Sequence, residues 1–180
     1  MKTGLLPLLA LAALVAALLL ACWPWRNLAG IERQVRRQFP GVRQMESGEL
    51  ARRLAAGEAI VLLDVRRPEE YAVSHLQGAR RLDPDELQPS LPGVSPEATV
   101  VAYCSVGWRS SKMAERLTAA GFTHVYNLEG SIFKWAREGR ELVQGEKATR
   151  VHQVHPYSPA WAFLVAPELR AYTPEAAEKP

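Results

Sequence analysis

The sequence predicts an α/β domain built on an open, mostly parallel sheet of about five strands with helices on both faces. Three apolar stretches rich in β-branched residues, 59–63, 99–103 and 123–127, have the length of buried strands. Stretches with helical spacing lie between them, bounded by glycine and proline. Because strands that alternate with helices form parallel sheets, this order predicts the α/β class.

The other elements are predicted from their boundaries. Ser47 is a good N-cap for a helix that Gly57 ends. Pro68 fits the first turn of a short helix. The spacing of apolar residues after the strand 99–103 and a short loop predicts a longer helix that starts at Ser110 or Ser111. The remaining predictions are strands at 42–45 and 79–82, and helices at 28–38, around 85–87 and at 131–138.

Composition and charge exclude several classes of function. The chain has 180 residues and a formal net charge of +3, and its basic residues do not cluster with aromatic residues. We therefore predict no nucleic-acid partner. Cys22 ends an apolar run and Cys104 follows a strand, so a disulfide between them is not expected. No spacing is typical of metal ligands, and we interpret the close pair His152 and His155 as exposed residues of a tail.

The composition divides the chain into four parts. Residues 1–25 are predicted to be a signal peptide or membrane anchor, 26–41 a basic linker with a short helix, 42–143 the α/β domain, and 144–180 a proline-containing tail. Trp161 and its apolar neighbours form a small cluster within this tail. We expect the cluster to pack along the domain, with binding to a partner or a membrane as the alternative.

The N-terminal apolar run, 4–23, is about 20 residues long, which is enough to span a bilayer as a helix. The run fits an uncleaved signal anchor, an ordinary cleaved signal or a buried core helix. It also fits a lipoprotein signal, because Leu19–Cys22 resembles a lipobox in which Cys22 would be lipidated. We predict a membrane-associated protein of the bacterial cell envelope. The arginines that follow favour a cytoplasmic domain, whereas signal-like features favour the opposite side, so the side stays open. The same arginines fit either anionic lipid headgroups or the solvated face of a helix.

Cys104 stands where the predicted strand 99–103 ends and a short loop leads into a helix. Unpaired amides at a helix N-terminus stabilise a thiolate, which would lower the pKa of Cys104 below the roughly 8.5 of a free thiol. Gly107 lets the loop bend back, and Arg109 adds a positive charge. These features predict a nucleophilic cysteine that meets an anionic substrate, with an inert core cysteine as the alternative.

Three motifs, in order along the chain, resemble those of the rhodanese (sulfurtransferase) superfamily. They are Asp64-Val65-Arg66 with Glu70-Tyr71 and residues 74–79; Cys104-x-x-Gly107-x-Arg109-Ser110; and Ala120-Gly121-Phe122 continuing to Gly130 and Trp135. The resemblance covers residues 42–143 and includes neither end of the chain.

The resemblance implies transfer of sulfane sulfur from a donor such as thiosulfate to cyanide or a thiol, through a persulfide on Cys104. It implies no metal and no organic cofactor, and its partners are small sulfur-containing anions or a protein sulfur acceptor. A non-enzymatic persulfide carrier or a binding module is the alternative. The implied substrate-binding loop is Ser105, Val106, Gly107, Trp108, Arg109 and Ser110, and the supporting residues are Asp64 and Arg66.

Loop length distinguishes sulfur transfer from related chemistry. Four residues lie between Cys104 and Arg109. The related cysteine-based phosphatases and arsenate reductases have one residue more, which makes room for a tetrahedral oxyanion. Ser110 stands where their arginine would be, so we favour a sulfurtransferase over a phosphatase.

Individual side chains near the loop have expected roles. We expect Arg109 to contact the donor or the loop, with a structural salt bridge to an acidic residue such as Asp64 or Glu129 as the alternative. Trp108 is expected to wall the pocket or merely to shield the cysteine. His75 is expected to be a structural hydrogen-bonding residue rather than a catalyst.

Overall fold

The computed structural model describes residues 27–174, so the predicted signal or anchor segment 1–25 lies outside the described residues. The elements are α1 (Leu28–Gln38), β1 (Arg43–Met45), α2 (Ser47–Ala55), β2 (Ile60–Asp64), α3 (Pro68–Val73), β3 (Arg80–Arg81), β4 (Thr99–Tyr103), α4 (Trp108–Ala119), β5 (His124–Leu128), α5 (Ser131–Arg137), β6 (Leu142–Gln144) and β7 (Thr149–Val151). Two short 3-10 helices follow, Pro159–Leu164 and Pro167–Leu169.

The first five strands form one parallel sheet in the order β1-β5-β4-β2-β3. The predicted fold class is therefore confirmed. β4 lies at the centre, and alternate side chains along it enter two separate cores. Val101 and Tyr103 pack with α1 and α5, whereas Val100 and Ala102 pack with α4. Helices thus cover both faces, and Cys104 follows β4 at the carboxyl edge of the sheet, where ligands of parallel sheets bind.

The basic helix before the sheet contributes to the core. α1 has the predicted bounds, and its Leu28, Ile31 and Val35 are buried in the larger hydrophobic cluster. On its exposed side Arg36 forms a salt bridge of 2.5 Å with Glu129. Within residues 27–174, no helix combines the length and the apolar character needed to cross a membrane.

Two predicted helices differ from the structure. The helix predicted around 85–87 is wrong: the chain forms a turn there. The carboxylate of Asp83 accepts the amide proton of Asp85 at 2.9 Å, and its carbonyl accepts that of Glu86 at 3.2 Å. An aspartate that binds nearby amides in this way favours a turn over a helix. The long helix predicted from Ser110 or Ser111 starts earlier, at Trp108.

The tail packs along the domain as far as it is described. β6 and β7 form an antiparallel pair, and a bridge between His75 and Val143 attaches this pair to the segment after α3. Farther along, Val154 pairs with Arg170, and Leu164 is buried. This course brings the first 3-10 helix next to the loop that follows β4.

Candidate active site

The loop after β4 is closed by a hydrogen bond to the cysteine itself. The amide of Gly107 donates to Sγ of Cys104 at 3.1 Å. Gly107 has a φ of +104°, a region that favours glycine, and a Cβ there would lie 3.1 Å from Nδ2 of Asn127. Both the conformation and the space therefore require glycine at this position.

The early start of α4 brings more of its amides to the sulfur. Gly107 is the N-cap and offers no side chain, while the hydroxyl of Ser111 donates to the Gly107 carbonyl at 2.7 Å. Ser111 therefore lies inside the first turn instead of capping it. A helix that begins at Trp108 points its unpaired amides and its positive dipole at the loop.

The surroundings of Cys104 favour its thiolate. Burial alone would raise the pKa of the thiol, since the residue is only 1% exposed. The charge of Arg109 and the hydrogen bonds from the backbone amides of Ser110 and Gly107 outweigh burial, and the pKa of Cys104 lies below its ordinary value. The cysteine is free, so it is a candidate nucleophile.

A second helix holds the loop from behind. The first amides of α5, those of Ile132 and Phe133, donate to the carbonyls of Cys104 and Ser105, each at 3.2 Å. The amide of Cys104 donates to Oγ of Ser131 at 3.2 Å. Ser131 adopts a φ of +51°, which is uncommon outside glycine. The sequence analysis gave Ser131 no role, and the preceding Gly130 was its only local signal.

Arg109 is paired with Glu70, not with Asp64 or Glu129. Its two terminal nitrogens donate to the two carboxylate oxygens of Glu70 at 2.7 and 2.8 Å, and one of them also donates to Oγ of Ser105 at 2.9 Å. Burial would raise the pKa of Glu70, but the hydrogen bonds and charge of Arg109 prevail and lower it, so this carboxylate is ionised. The predicted contact between Arg109 and the loop is present through Ser105.

Asp64 and Arg66 form a fully buried ion pair at the end of β2. The guanidinium donates to the carboxylate with a shortest distance of 2.6 Å and also to the carbonyl of Ser74. Its central carbon lies 5.9 Å from the ring centre of Tyr103, the last residue of β4. The pair therefore holds the segment after α3 against the end of the central strand.

His75 and Ser110 both make structural contacts, although Ser110 was predicted to belong to the substrate-binding loop. His75 stacks on Tyr71 with 4.0 Å between ring centres, and its main chain bridges to Val143. Ser110 donates to the side-chain oxygen of Asn127 at 2.6 Å, and Asn127 donates in turn to Gln44. Asn127, which the sequence analysis did not single out, thus ties α4 to the sheet.

A pocket of about 290 Å³ opens above the cysteine. It is lined by Cys104, Ser105, Val106, Trp108, Arg109, Phe133, Tyr157 and Trp161. Cys104 is buried, but its side chain borders this pocket. Trp108 forms part of the wall, as one of its two predicted roles requires.

Tyr157 and Trp161 of the tail line the pocket, and neither was predicted to do so. The tail histidine His155 is buried, which corrects the expectation that it is exposed, because it lies beneath Tyr172 with 5.5 Å between ring centres. Among residues 27–174, no group of histidines, cysteines and carboxylates is arranged to hold a metal ion. The arrangement offers a cysteine whose pKa is lowered, converging amides and a compensated arginine, which suits nucleophilic attack by the sulfur.

Comparison with known proteins agrees with this geometry. Residues 46–138 match the family model of the rhodanese-like domain. A sulfurtransferase from Allochromatium vinosum is 33% identical over 58% of this chain and 98% of that protein. The thiosulfate sulfurtransferase GlpE of Ectopseudomonas mendocina is 31% identical over 56% of this chain and 93% of that protein. The crystal structure of a rhodanese-like domain protein from Staphylococcus aureus has a TM-score of 0.52 at 27% identity, over 58% of this chain and 100% of that one.

Proposed function

The chain belongs to the rhodanese-like domain family, and from this premise we propose that it moves sulfane sulfur through a persulfide on Cys104. Its relatives are named sulfurtransferases, which supports a transferase. The observation that carries the proposal is the environment of Cys104: the 3.1 Å hydrogen bond from Gly107, the charge of Arg109 and the pocket in front of the sulfur.

The first half-reaction requires no added base or cofactor. The thiolate of Cys104 attacks the outer sulfur of the donor, and the new S–S bond forms as the donor's own S–S bond breaks. With thiosulfate, sulfite leaves with the electron pair. The charge then lies on the outer sulfur of the persulfide, which remains within reach of the loop amides.

The second half-reaction returns the enzyme to its starting state. A nucleophilic acceptor, cyanide or a thiol, attacks the outer sulfur of the persulfide and carries it away, and the Cys104 thiolate leaves. The amides that stabilise the thiolate before the reaction stabilise it again as a leaving group. A protein thiol is a further acceptor that we propose.

The experiment uses the purified full chain with thiosulfate and cyanide. We expect thiocyanate to form and, without cyanide, the intact mass to rise by one sulfur atom; Cys104→Ser loses both. As a control, Arg53→Gln, on α2 and outside the pocket lining, retains both. Activity that survives in Cys104→Ser would overturn the proposal. A stable sulfur adduct with negligible thiocyanate formation would favour the persulfide carrier.

We also propose that residues 1–25 attach the protein to the membrane of a bacterial cell envelope. Support comes from the length and composition of the apolar run 4–23. Intact-mass measurement of protein extracted from membranes distinguishes the alternatives. An unprocessed chain indicates an anchor, and a lipid-sized gain on a chain that starts at Cys22 indicates a lipoprotein. Recovery only as an unlipidated, shortened chain free of membrane would contradict the proposal.

A further inference from the structure

Most of the pocket surface around the sulfur is aromatic. Four rings line it, which we call the aromatic wall: Trp108, Phe133, Tyr157 and Trp161. Trp108 is fixed by an edge-to-face contact with Phe39, with ring centres 5.3 Å apart. Two of the four rings come from the tail, beyond the family match at 46–138. Half of the wall, the rings of Tyr157 and Trp161, therefore lies outside the region that the family model matches.

The tail holds its part of the wall in a defined position. Tyr157 has a φ of +68°, and its amide donates to Nδ1 of His155 at 3.1 Å. Its ring centre lies 4.9 Å from the central carbon of the Arg109 guanidinium, which is cation–π distance. A residue other than glycine is strained at such a positive φ, and this kind of strain is typical of functional positions. Trp161 is held by a 3-10 helix whose Ala162 and Leu164 are buried.

The positive charge in the pocket is largely compensated. Arg109 is the one basic residue among those that line it, and both of its terminal nitrogens bind the ionised Glu70. The thiolate of Cys104 adds a further negative charge. Arg109 therefore has little charge left to attract a dianion such as thiosulfate, so the loop amides must hold both of its charges, whereas a donor with one charge and an apolar body depends on them less.

The size of the pocket agrees with a larger donor. The cavity of about 290 Å³ has room for about ten water molecules, at roughly 30 Å³ each. Thiosulfate has only about five non-hydrogen atoms and would leave part of that space unfilled. An aryl or alkyl group attached to the donor's inner sulfur would fill the remainder and bury apolar area against the rings.

We infer that the aromatic wall makes this enzyme selective for monoanionic donors that carry an apolar group beside the reacting sulfur, namely organic persulfides and thiosulfonates, over thiosulfate. The inference rests on the proposed function and adds the donor class to it. With an aryl thiosulfonate, the Cys104 thiolate bonds to the outer sulfur as the S–S bond breaks. The aryl sulfinate leaves with the electron pair, so atoms and charge balance without an added oxidant or reductant.

The test compares benzenethiosulfonate with thiosulfate as donors to the full chain, with cyanide as acceptor. For the unaltered protein we expect kcat/KM to be at least about tenfold higher with benzenethiosulfonate, in the range that pocket contacts provide. Tyr157→Ala and Trp161→Ala are each expected to lose about tenfold more activity with benzenethiosulfonate than with thiosulfate. Tyr157→Phe, which keeps the ring, retains the preference.

Phe163→Ala is the matched control, because Phe163 lies on the same 3-10 helix as Trp161 but is 57% exposed and does not line the pocket. It should leave both donors unchanged. Equal or better use of thiosulfate by the unaltered protein would overturn the inference, as would equal losses with both donors in the tail variants. Sulfur loading from thiosulfate alone overturns the inference and leaves the proposed function standing. A protein that gains sulfur from neither donor overturns both.

Discussion

Replacing Arg109 by methionine tests how strongly the pair with Glu70 supports the cysteine loop. The change keeps an apolar stem of similar length but removes two charge-assisted hydrogen bonds of 2.7 and 2.8 Å. Glu70, at 1% exposure, is left buried without its cation. Removing one partner of a buried pair costs about 3–5 kcal/mol. Because Arg109 is itself 21% exposed, we expect a loss near the lower end, about 3 kcal/mol of unfolding free energy.

A double-mutant cycle isolates the pair. Urea unfolding of the unaltered chain, Arg109→Met, Glu70→Gln and the double variant should give a coupling free energy of about 2–3 kcal/mol. The matched control is Arg53→Met, which breaks an ion pair with Glu58 of similar length, 2.7 Å, whose two side chains are 24% and 46% exposed. That exposed pair should contribute less than about 1 kcal/mol. A coupling below about 0.5 kcal/mol between Arg109 and Glu70 would refute the reasoning.

The cycle also has a definite dependence on pH. The pKa of Glu70 is lowered in the folded chain, so its stabilising contribution is present above its unfolded value of about 4.3 and is lost as the pH falls through the lower folded value. The difference in stability between the unaltered chain and Arg109→Met should therefore shrink in acid. The same variant should raise the pKa of Cys104, measured by the ultraviolet absorbance of the thiolate, because it removes the nearby positive charge.

Three further outcomes are expected. The rate of persulfide formation should rise with pH to a plateau with its midpoint below the roughly 8.5 of a free thiol, because the lowered pKa of Cys104 makes the thiolate the active form; a midpoint above that value would contradict this. Gly107→Ala should lose about 2 kcal/mol or more in urea unfolding, because strain at φ +104° adds to a contact of 3.1 Å with Asn127, whereas Gly57→Ala, at φ +76° in open space, should lose only about 1–2 kcal/mol. Ser131→Ala should cost about 1–3 kcal/mol and slow sulfur transfer, because the buried amide of Cys104 loses its acceptor; an unchanged rate and stability would show that this contact is dispensable.

The sheet and the cysteine loop could be predicted because their signals are local. β4 occupies Thr99–Tyr103 as predicted, because a short run of β-branched residues between helical segments favours a strand over other secondary structure. α1 likewise has the predicted bounds of Leu28–Gln38. The loop needed Gly107 for its backbone conformation, and that requirement is visible as a residue type.

The errors occurred where distant or competing contacts decide the outcome. The start of α4 at Trp108 depends on hydrogen bonds that Ser111 makes inside the first turn, and a serine pattern alone does not reveal which residue is the cap. The partner of Arg109 is Glu70 because α3 lies beside the loop in three dimensions, 39 residues away along the chain. The charge of the acidic residues alone could not show which of them is the salt-bridge partner of Arg109.

The tail shows why a family motif is insufficient to predict substrate choice. The loop from Cys104 to Arg109 surrounds the sulfur with amides and lowers the pKa of Cys104, and in the proposed reaction these groups act on the reacting sulfur atom of the donor. The rest of the donor meets surfaces that come from outside the loop, and here Tyr157 and Trp161 supply two of the four rings. Because these two residues lie about 50 positions beyond the cysteine and outside the matched region, the family motif carries no information about them. In the proposed reaction, sulfur transfer therefore depends on the loop, and the choice of donor depends on the segment that folds back over it.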